Sequence, residues 1–377
     1  MSQTDELDLS GLSLQELTRI AEVAGEPAFR GRQLYHALYA ECHSSVAEIT
    51  TLPLTFREWL GRQGYTIQKT EIERKFCSED GTIRYLLRFA DGQSVETVWM
   101  PEGDGGEHGD GSEENEDPSP TPTSTSWRAG RFHRATICVS SQAGCAVDCQ
   151  FCMTALLGLQ RNLSSGEIVG QVLTVLRDRG VKVGEERINL VFMGQGEPFL
   201  NYDSFMGAVR LLAGDAIGIP VSRMTVSTSG IVPRIFDFAK EEVRPKLAIS
   251  LNASNDTDRE RLMPITRKWN LEKLLAAARS FPLRNRERLT FEYVLLDGVN
   301  DSEQHAHETA ELLRGIRAKV NLIALNPGEE IPFQTPAEAR VRAFQRILIG
   351  AGLPTFIRRP RGLDIYAACG QLKRTVA

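Results

Sequence analysis

The residues of this chain most able to do chemistry are three closely spaced cysteines. Cys145, Cys149 and Cys152 lie in the segment GCAVDCQFC, with the spacing CxxxCxxC. Three thiolates in one short loop could hold three corners of a cubane [4Fe-4S] cluster and leave its fourth iron open to a substrate. Clusters that only carry electrons normally have a cysteine on every corner. The spacing therefore predicts a cluster that does chemistry at its open iron.

Two other interpretations of this loop stay open from the residues alone. A structural zinc site usually adds a second pair of ligands, yet no CxxC or HxxxH follows Cys152. Three buried cysteines could also lie together by chance. The total of seven cysteines is odd and suits a reducing compartment, and Cys42 and Cys77 are interpreted as structural.

The composition of the 377 residues sets broad limits on function. No apolar run approaches membrane-spanning length and the N-terminus is polar and acidic, so we expect a cytoplasmic protein without a membrane partner. The net charge of −5 argues at first against a nucleic-acid partner. Residues 102–117, however, hold eight of the 49 acids and no Lys or Arg, and the rest of the chain is slightly basic. The argument from net charge against a nucleic-acid partner therefore depends on residues 102–117 alone.

The chain divides into four parts by composition and apolar spacing. Residues 1–65 show helical spacing, and residues 66–102 switch to strand-like runs that predict a β-hairpin extension. Residues 103–130, rich in acids, Pro, Ser and Thr, predict a disordered insertion. Residues 131–377 form the largest part and alternate regularly between strand and helix patterns.

This alternation predicts an α/β fold with a parallel sheet. Strand-like segments occur at 134–140, 187–193, 222–228, 246–251, 288–295 and 319–325. Helical patterns occur near 165–179, 202–213, 232–240, 270–279, 302–317 and 336–350. In a barrel-like arrangement, functional residues gather where the strands end. Strand alternation also turns Cys138 into the barrel if Ile137 and Val139 face the helices.

Several of these strands end in small or polar residues. The second is followed by MGQGEP, residues 193–198, in which Glu197 offers a carboxylate to an ammonium group. Its glycines would let a ligand approach the backbone closely. The later strand ends carry Ser227, Ser250, Asn252 and Asn326, which could bind ribose or carboxylate oxygens or simply cap the next helix.

Together these segments resemble one known family. The strings CVSSQAGC, RNLSSGEIVGQV, MGQGEP, STSGIVPRI, SLNAS and AACGQL, with FRGRQLYHALY near the N-terminus, are similar to those of radical S-adenosylmethionine (SAM) RNA methyltransferases. These enzymes methylate carbon 2 of adenine (the RlmN type) or carbon 8 (the Cfr type). The resemblance covers nearly all of the chain outside the acidic insertion. Gln195 and Asn252 stand where Met and His are common, and GEP with RPRGLDI favours carbon 2.

The resemblance implies a partial (β/α)6 radical SAM barrel with a small N-terminal helical and β-hairpin domain. It implies that Cys145, Cys149 and Cys152 bind a [4Fe-4S] cluster. It implies SAM contacts at Gly196, Glu197, Ser227, Ser250, Leu251, Asn252 and Asn326. Cys369 would carry the methyl group, Cys138 would be its resolving partner, and Glu96 in SVETVWMP would be the general base.

The implied reaction needs a radical, because carbon 2 of adenine has no lone pair with which to attack SAM. Cys369 would take a methyl group from one SAM, and a second SAM would yield the radical that activates it. Cys138 would release the adduct by forming a disulfide with Cys369. The implied partners are 23S rRNA, tRNA and an electron donor such as flavodoxin or ferredoxin, and we expect a monomer.

Three groups of arginines are candidates for RNA binding, although arginine clusters are most often solvated surface. They are Arg30 and Arg32; Arg284, Arg286 and Arg288; and Arg358, Arg359 and Arg361. Two rival functions stay open. One is a non-catalytic iron-sulfur or zinc protein that binds RNA, which would leave Cys138 and Cys369 without a role. The other is a radical SAM enzyme acting on a small molecule, which would have no use for the N-terminal domain.

Overall fold

The computed structural model describes residues 7–101, 107–108, 134–328 and 330–373. The N-terminal part is a small helical unit. Its helices are α1 (Leu14–Val23), α2 (Phe29–Tyr39) and α3 (Leu54–Arg62), and its two short parallel strands are β1 (Leu7–Asp8) and β2 (Tyr65–Thr66). Ser13 and Glu16 form a capping box that fixes where α1 begins. Leu17 and Ala21, one turn apart, are fully buried, so α1 presents one apolar face to the core.

Three antiparallel strands follow, and turns at EDG (79–81) and ADG (90–92) connect them. They are β3 (Glu71–Cys77), β4 (Ile83–Arg88) and β5 (Ser94–Pro101). The prediction of a single hairpin is therefore incomplete. It also missed that β5 pairs with the first barrel strand, with Val98 opposite Cys138. The hairpin region is thus part of the main sheet.

The main sheet has eleven strands, in the order β3-β4-β5-β7-β10-β11-β12-β13-β14-β15-β6, among the residues described. Its parallel strands are β7 (Arg134–Cys138), β10 (Arg187–Phe192), β11 (Met224–Thr228), β12 (Lys246–Ser250), β13 (Leu289–Leu295), β14 (Ala318–Ala324) and β15 (Thr355–Arg358). The edge strand β6 (Glu107–His108) pairs antiparallel with β15. The predicted insertion 103–130 otherwise lies outside the described residues.

Helices on the outside of the sheet bury its apolar face. They are α4 (Ser165–Arg179), α5 (Tyr202–Ala213), α6 (Val232–Phe238), α7 (Asp256–Leu262), α8 (Leu271–Ser280), α9 (Glu303–Leu313) and α10 (Glu338–Gly350). The six predicted βα units are confirmed, and the structure adds β15 and α7. A small hairpin, β8 (Gln142–Gly144) with β9 (Leu159–Asn162), flanks the three-cysteine loop. The loop therefore lies where β7 ends, at the carboxyl edge of the parallel strands.

Candidate active site

Backbone hydrogen bonds hold the three-cysteine loop at its first cysteine and between its second and third cysteines. The Cys145 N–H donates to the Gly158 carbonyl (3.1 Å), and the Gln150 N–H donates to the Leu262 carbonyl (3.0 Å). Gly144, directly before the loop, has φ +81°, and a Cβ atom there would lie 1.8 Å from the Gly158 oxygen. Only glycine fits this close approach. The glycine that precedes the first cysteine thus fixes the start of the loop.

The three thiols line one cavity of about 170 Å³, called here the loop cavity. Burial raises the pKa of Cys145 to about 12 and that of Cys149 well above its ordinary value. Thiolates are the ligands that iron-sulfur clusters prefer. Among the residues described, no three His, Cys, Asp or Glu side chains converge on the position of a single ion. A [4Fe-4S] cluster binds each thiolate through a different iron atom, so its three ligands need not converge on one point.

Glu197 also lines the loop cavity. Its carboxylate accepts hydrogen bonds from the backbone N–H groups of Ser229 (2.6 Å) and Phe199 (3.0 Å), and its own N–H donates to Gln142 Oε1 (2.9 Å). Gly196 before it has φ +99°, and a Cβ there would meet the Gln142 backbone N at 2.7 Å. Burial raises the pKa of Glu197, and the two backbone hydrogen bonds oppose this. A fixed, buried carboxylate is suited to bind an ammonium group.

The predicted small polar residues surround the same space. Gly196, Glu197, Ser227, Ser250, Asn252 and Asn326 all line the loop cavity. Leu251 does not line it, because its side chain is fully buried in the core. A contact from Leu251 would have to come from its backbone. Its N–H, however, donates to the Glu292 carbonyl within the sheet (2.9 Å).

A second cavity of about 120 Å³ adjoins the first and is called here the thiol cavity. Both Cys138 and Cys369 line it, so the structure brings together two cysteines that lie 231 positions apart. Cys152 and Asn326 line both cavities. The two cysteines predicted to form a disulfide with each other therefore lie directly beside the three-cysteine loop.

The segment that carries Cys369 is fixed by hydrogen bonds on both sides of the cysteine. The Asn326 amide donates to the Cys369 carbonyl (3.0 Å), and the Met153 N–H donates to the Gly370 carbonyl (2.8 Å). The Thr154 hydroxyl donates to the Leu372 carbonyl (2.7 Å). Asn326, predicted to contact SAM, thus also positions Cys369.

The thiols of this cavity are less acidic than free cysteine. Desolvation raises the pKa of Cys138, and the nearby Cys369 raises it further. Desolvation also raises the pKa of Cys369, followed by the charge of Glu292, while Arg358 acts in the opposite direction. Each thiol must therefore lose its proton before it can act as a nucleophile.

Glu96, the predicted general base, is fully buried on β5 and lines neither cavity. Its carboxylate forms an ion pair with the equally buried Arg84 on the neighbouring strand. The Gln195 side chain also donates to it (3.4 Å). Val98, two positions along β5 and on the same face, does line the thiol cavity. Glu96 thus lies one side-chain position behind the wall of that cavity.

Two buried charged residues of the site escaped the sequence analysis. Glu292 lines both cavities and accepts a hydrogen bond from the Ser227 hydroxyl (2.6 Å); burial raises its pKa. Arg259 is fully buried and donates to the carbonyls of Ser229 (2.7 Å) and Ser250 (2.9 Å), which fixes two strand ends. Neither residue lies in a sequence pattern that would mark it as buried or as part of the site. Arg259 lies in the polar segment DTDRERL, which reads as a solvated helix.

The predicted RNA-binding arginines do not all lie in one place, although Arg286, Arg288 and Arg358, from two of the groups, line one cavity. Arg358, Arg359 and Arg361 line the thiol cavity. Arg284 donates to the Arg244 carbonyl (2.9 Å), whereas Arg30 pairs with Glu26 (3.7 Å).

Comparisons with known proteins match this geometry. The family model described as the radical SAM superfamily matches residues 139–313. The "probable dual-specificity RNA methyltransferase RlmN" of Koribacter versatilis is 67% identical over 354 residues, which cover 94% of this chain and 98% of that protein. The chain belongs to the RlmN family.

Other members of the RlmN family and a solved structure agree. The dual-specificity RNA methyltransferase RlmN of Anaeromyxobacter sp. is 44% identical, covering 97% of this chain and 90% of that protein. The crystal structure of a radical SAM methyltransferase from Sphaerobacter thermophilus superposes with a TM-score of 0.83 at 40% identity. The match covers 97% of this chain and 99% of that one.

Membership of the RlmN family confirms four predictions: the radical SAM fold, RNA methyltransferase activity, the [4Fe-4S] cluster and SAM. In the part of the chain that the structure describes, no helix has both the length and the apolar character needed to cross a bilayer.

Proposed function

We propose that this RlmN-family protein methylates carbon 2 of an adenine in 23S rRNA and in the tRNA anticodon loop. One observation carries the proposal: Cys138 and Cys369 line one cavity, and that cavity adjoins the three-cysteine loop. A methyltransferase that passed the methyl group directly from SAM to RNA would need neither thiol. We further propose that it acts as a cytoplasmic monomer with flavodoxin or ferredoxin as electron donor.

The residues of the loop cavity divide into two roles. Cys145, Cys149 and Cys152 would hold the [4Fe-4S] cluster, which when bound supplies the electron that cleaves SAM to a 5′-deoxyadenosyl radical. Glu197 would bind the SAM ammonium group, since its carboxylate is buried and held by two backbone N–H groups. Ser227, Ser250, Asn252 and Asn326, with the backbones of Gly196 and Leu251, would bind the remaining polar atoms of SAM.

Cys369 would act first as a nucleophile. Its thiolate attacks the methyl carbon of one SAM, the carbon–sulfonium bond breaks, and S-adenosylhomocysteine leaves with the electron pair. The methyl carbon of Cys369 is then the carbon that reaches the adenine. The contacts of Asn326, Met153 and Thr154 hold this sulfur at the boundary between the two cavities.

Cys138 and Glu96 would complete the reaction. Before their steps, the Cys369 methyl group would lose one hydrogen atom to the 5′-deoxyadenosyl radical and its carbon would bond to carbon 2 of adenine. The adduct would then have to give up its unpaired electron, which the oxidised cluster could accept. Glu96 takes the proton of carbon 2. The Cys138 thiolate attacks the Cys369 sulfur and forms a disulfide, and the sulfur–carbon bond breaks. The released carbon keeps the electron pair and takes a proton to become the methyl group. A dithiol reductant must then restore both thiols.

The test uses reconstituted protein, SAM, reductant and RNA under anaerobic conditions. Cys138→Ala should accumulate a covalent complex of protein and RNA, because the resolving thiol is missing. Cys77→Ala is the matched control, since Cys77 is exposed on β3. Mass spectrometry of digested RNA should show 2-methyladenosine with the unaltered protein. Multiple turnover by Cys138→Ala, or 8-methyladenosine as the product, would contradict the proposal.

A further inference from the structure

A third cavity, of about 360 Å³, lies at the opposite end of the barrel from the three-cysteine loop and is called here the basic cavity. Most of its wall comes from the first half of the parallel strands and from the loops before them, and Met193 and Arg358 close it toward the strand ends. Seven cationic residues line it: Arg134, Arg223, Lys246, Arg286, Arg288, Lys319 and Arg358. Glu287 is its one acidic lining residue among those described, and it forms an ion pair with Arg244 (3.2 Å). This end of the barrel is therefore strongly positive, although the chain as a whole carries −5.

The cations come from several βα units. They lie together because of the fold, since they do not belong to one basic segment of the sequence. Arg223, Lys246 and Arg286 form no ion pair with any residue that the structure describes. Lys246 and Arg286 are exposed, and Arg223 is half-buried. Positive side chains that face a cavity without acidic partners repel each other and favour an anionic ligand.

Buried polar atoms inside the barrel give a second, independent indication of a ligand. The Thr136 hydroxyl and the Asn321 side-chain oxygen both belong to residues that line the basic cavity. Both residues are more than nine-tenths buried, and neither atom has a hydrogen-bond partner in the structure. Leaving such an atom buried without a partner is unfavourable. A polar ligand that enters this end of the barrel would satisfy them.

The basic cavity leads toward the thiol cavity. Val191, Met193 and Arg358 line both. Arg134 precedes Cys138 by four residues on β7, which is about 13 Å along the strand. The other end of the barrel holds the three-cysteine loop and the fixed segment around Cys369. An adenine could thus reach the thiols from the basic end without passing the loop cavity.

We propose that the basic cavity binds backbone phosphates of the RNA and is the entrance through which the target adenine reaches Cys138 and Cys369. The inference rests on the proposed function and adds the path and the residues that bind the strand. The base would have to leave its stack to enter the barrel. Phosphates held by the cations would position the strand, and contacts inside the barrel would select the base.

The test compares RNA affinity across salt concentrations with the cluster-loaded protein. The probe is a synthetic tRNA anticodon stem-loop, and the variant is Arg223→Gln, Lys246→Gln and Arg286→Gln combined. Loss of three phosphate contacts should lower the slope of log Kd against log salt by about 2, and should weaken binding at least tenfold at low salt. Combining Lys240→Gln, Lys273→Gln and Arg346→Gln removes equal charge from exposed sites on the outer helices or, for Lys240, in the turn after α6, and should leave the slope unchanged.

Further measurements separate the possible failures. Equal thermal midpoint and iron content show that the triple variant is folded, and Arg223→Lys with Arg286→Lys should retain the slope because charge is kept. Inorganic pyrophosphate tests for a small anion. If pyrophosphate binding depends on the three cations while RNA binding does not, the site serves a small anion and the RNA assignment is wrong. If the protein methylates RNA but the triple variant binds it with unchanged affinity and slope, the entrance proposal is wrong and the proposed function stands. Cation-dependent RNA binding without methylation contradicts the proposed function alone.

Discussion

Replacing Arg84 with methionine should destabilise the protein far more than removing an exposed arginine. Arg84 and Glu96 are 1% and 0% exposed and form an ion pair between β4 and β5. The Arg84 guanidinium also lies over the Phe76 ring, 4.0 Å from its centroid. Methionine keeps most of the apolar length of the side chain and removes its charge. The substitution therefore leaves the Glu96 carboxylate buried without its cation.

The expected loss of folding stability follows from the energetics of a buried charge that has lost its partner. Breaking a buried pair by removing one partner costs about 3–5 kcal/mol, whereas an exposed pair is worth about 0–1 kcal/mol. With an unfolding entropy of about 2.1 cal/mol/K for each of the 377 residues, the larger loss lowers the unfolding midpoint by about 4–6 °C. Combining Arg84→Met with Glu96→Met should recover most of it, because the uncompensated charge is gone. Arg210→Met is the matched control, since Arg210 pairs with Glu241 at the surface.

Thermal and urea unfolding of the four proteins would decide the matter. An Arg84→Met midpoint as close to the unaltered protein as that of Arg210→Met would refute this reasoning. Activity gives a second readout, since a buried carboxylate without its cation takes up a proton more readily. Arg84→Met should therefore slow proton removal from the RNA, and methylation of Cys369 by SAM, which does not need Glu96, should continue at its usual rate.

Three further predictions concern the loop and thiol cavities. The Gly144→Ala variant should bind much less iron than the unaltered protein after anaerobic reconstitution, because the new Cβ would lie 1.8 Å from the Gly158 oxygen. The control variant Gly180→Ala, whose Cβ would meet no atom within 4 Å, should bind iron normally. Glu197→Gln should weaken SAM binding about 10- to 100-fold in equilibrium dialysis, as expected for a lost charge-assisted contact, while the exposed Glu185→Gln should not. Methylation of Cys369 without RNA should accelerate as the pH rises from 7 to 9, because desolvation raises the Cys369 pKa and only the thiolate reacts. A flat pH profile of Cys369 methylation, measured by mass spectrometry, would contradict this.

Much of the fold could be predicted because the barrel strands show apolar runs and side-chain alternation in the sequence itself. Ile137 and Val139 are buried against the helices, and Cys138 faces inward, as strand alternation requires. The strand β15 was missed because it has only four residues, of which three are half-buried, so no apolar run marks it. The helix α7 was missed for a related reason, since its one buried polar anchor, Arg259, is indistinguishable in sequence from solvated arginines.

The site residues that the sequence did not reveal act through contacts between distant segments. Arg84 meets Glu96 only because of the β4–β5 register, which the turn between the strands sets. Glu292 meets Ser227 only once β11, β12 and β13 lie side by side. Such pairs have no fixed spacing along the chain. Burial of a charged residue is likewise decided by the fold and not by its neighbours in sequence.

The distribution of charge along the barrel axis gives the two ends different roles. The loop end offers thiols and the buried carboxylate of Glu197, which suit a metal cluster and a cationic sulfonium ligand. The basic end offers seven cations, which suit a polyanion. A sulfonium ligand and a nucleic acid would each be repelled from the other's entrance. Cys138, Cys369 and Arg358 all line the thiol cavity between the two ends. Cys369 can therefore receive the methyl group from the loop end and meet the adenine from the basic end.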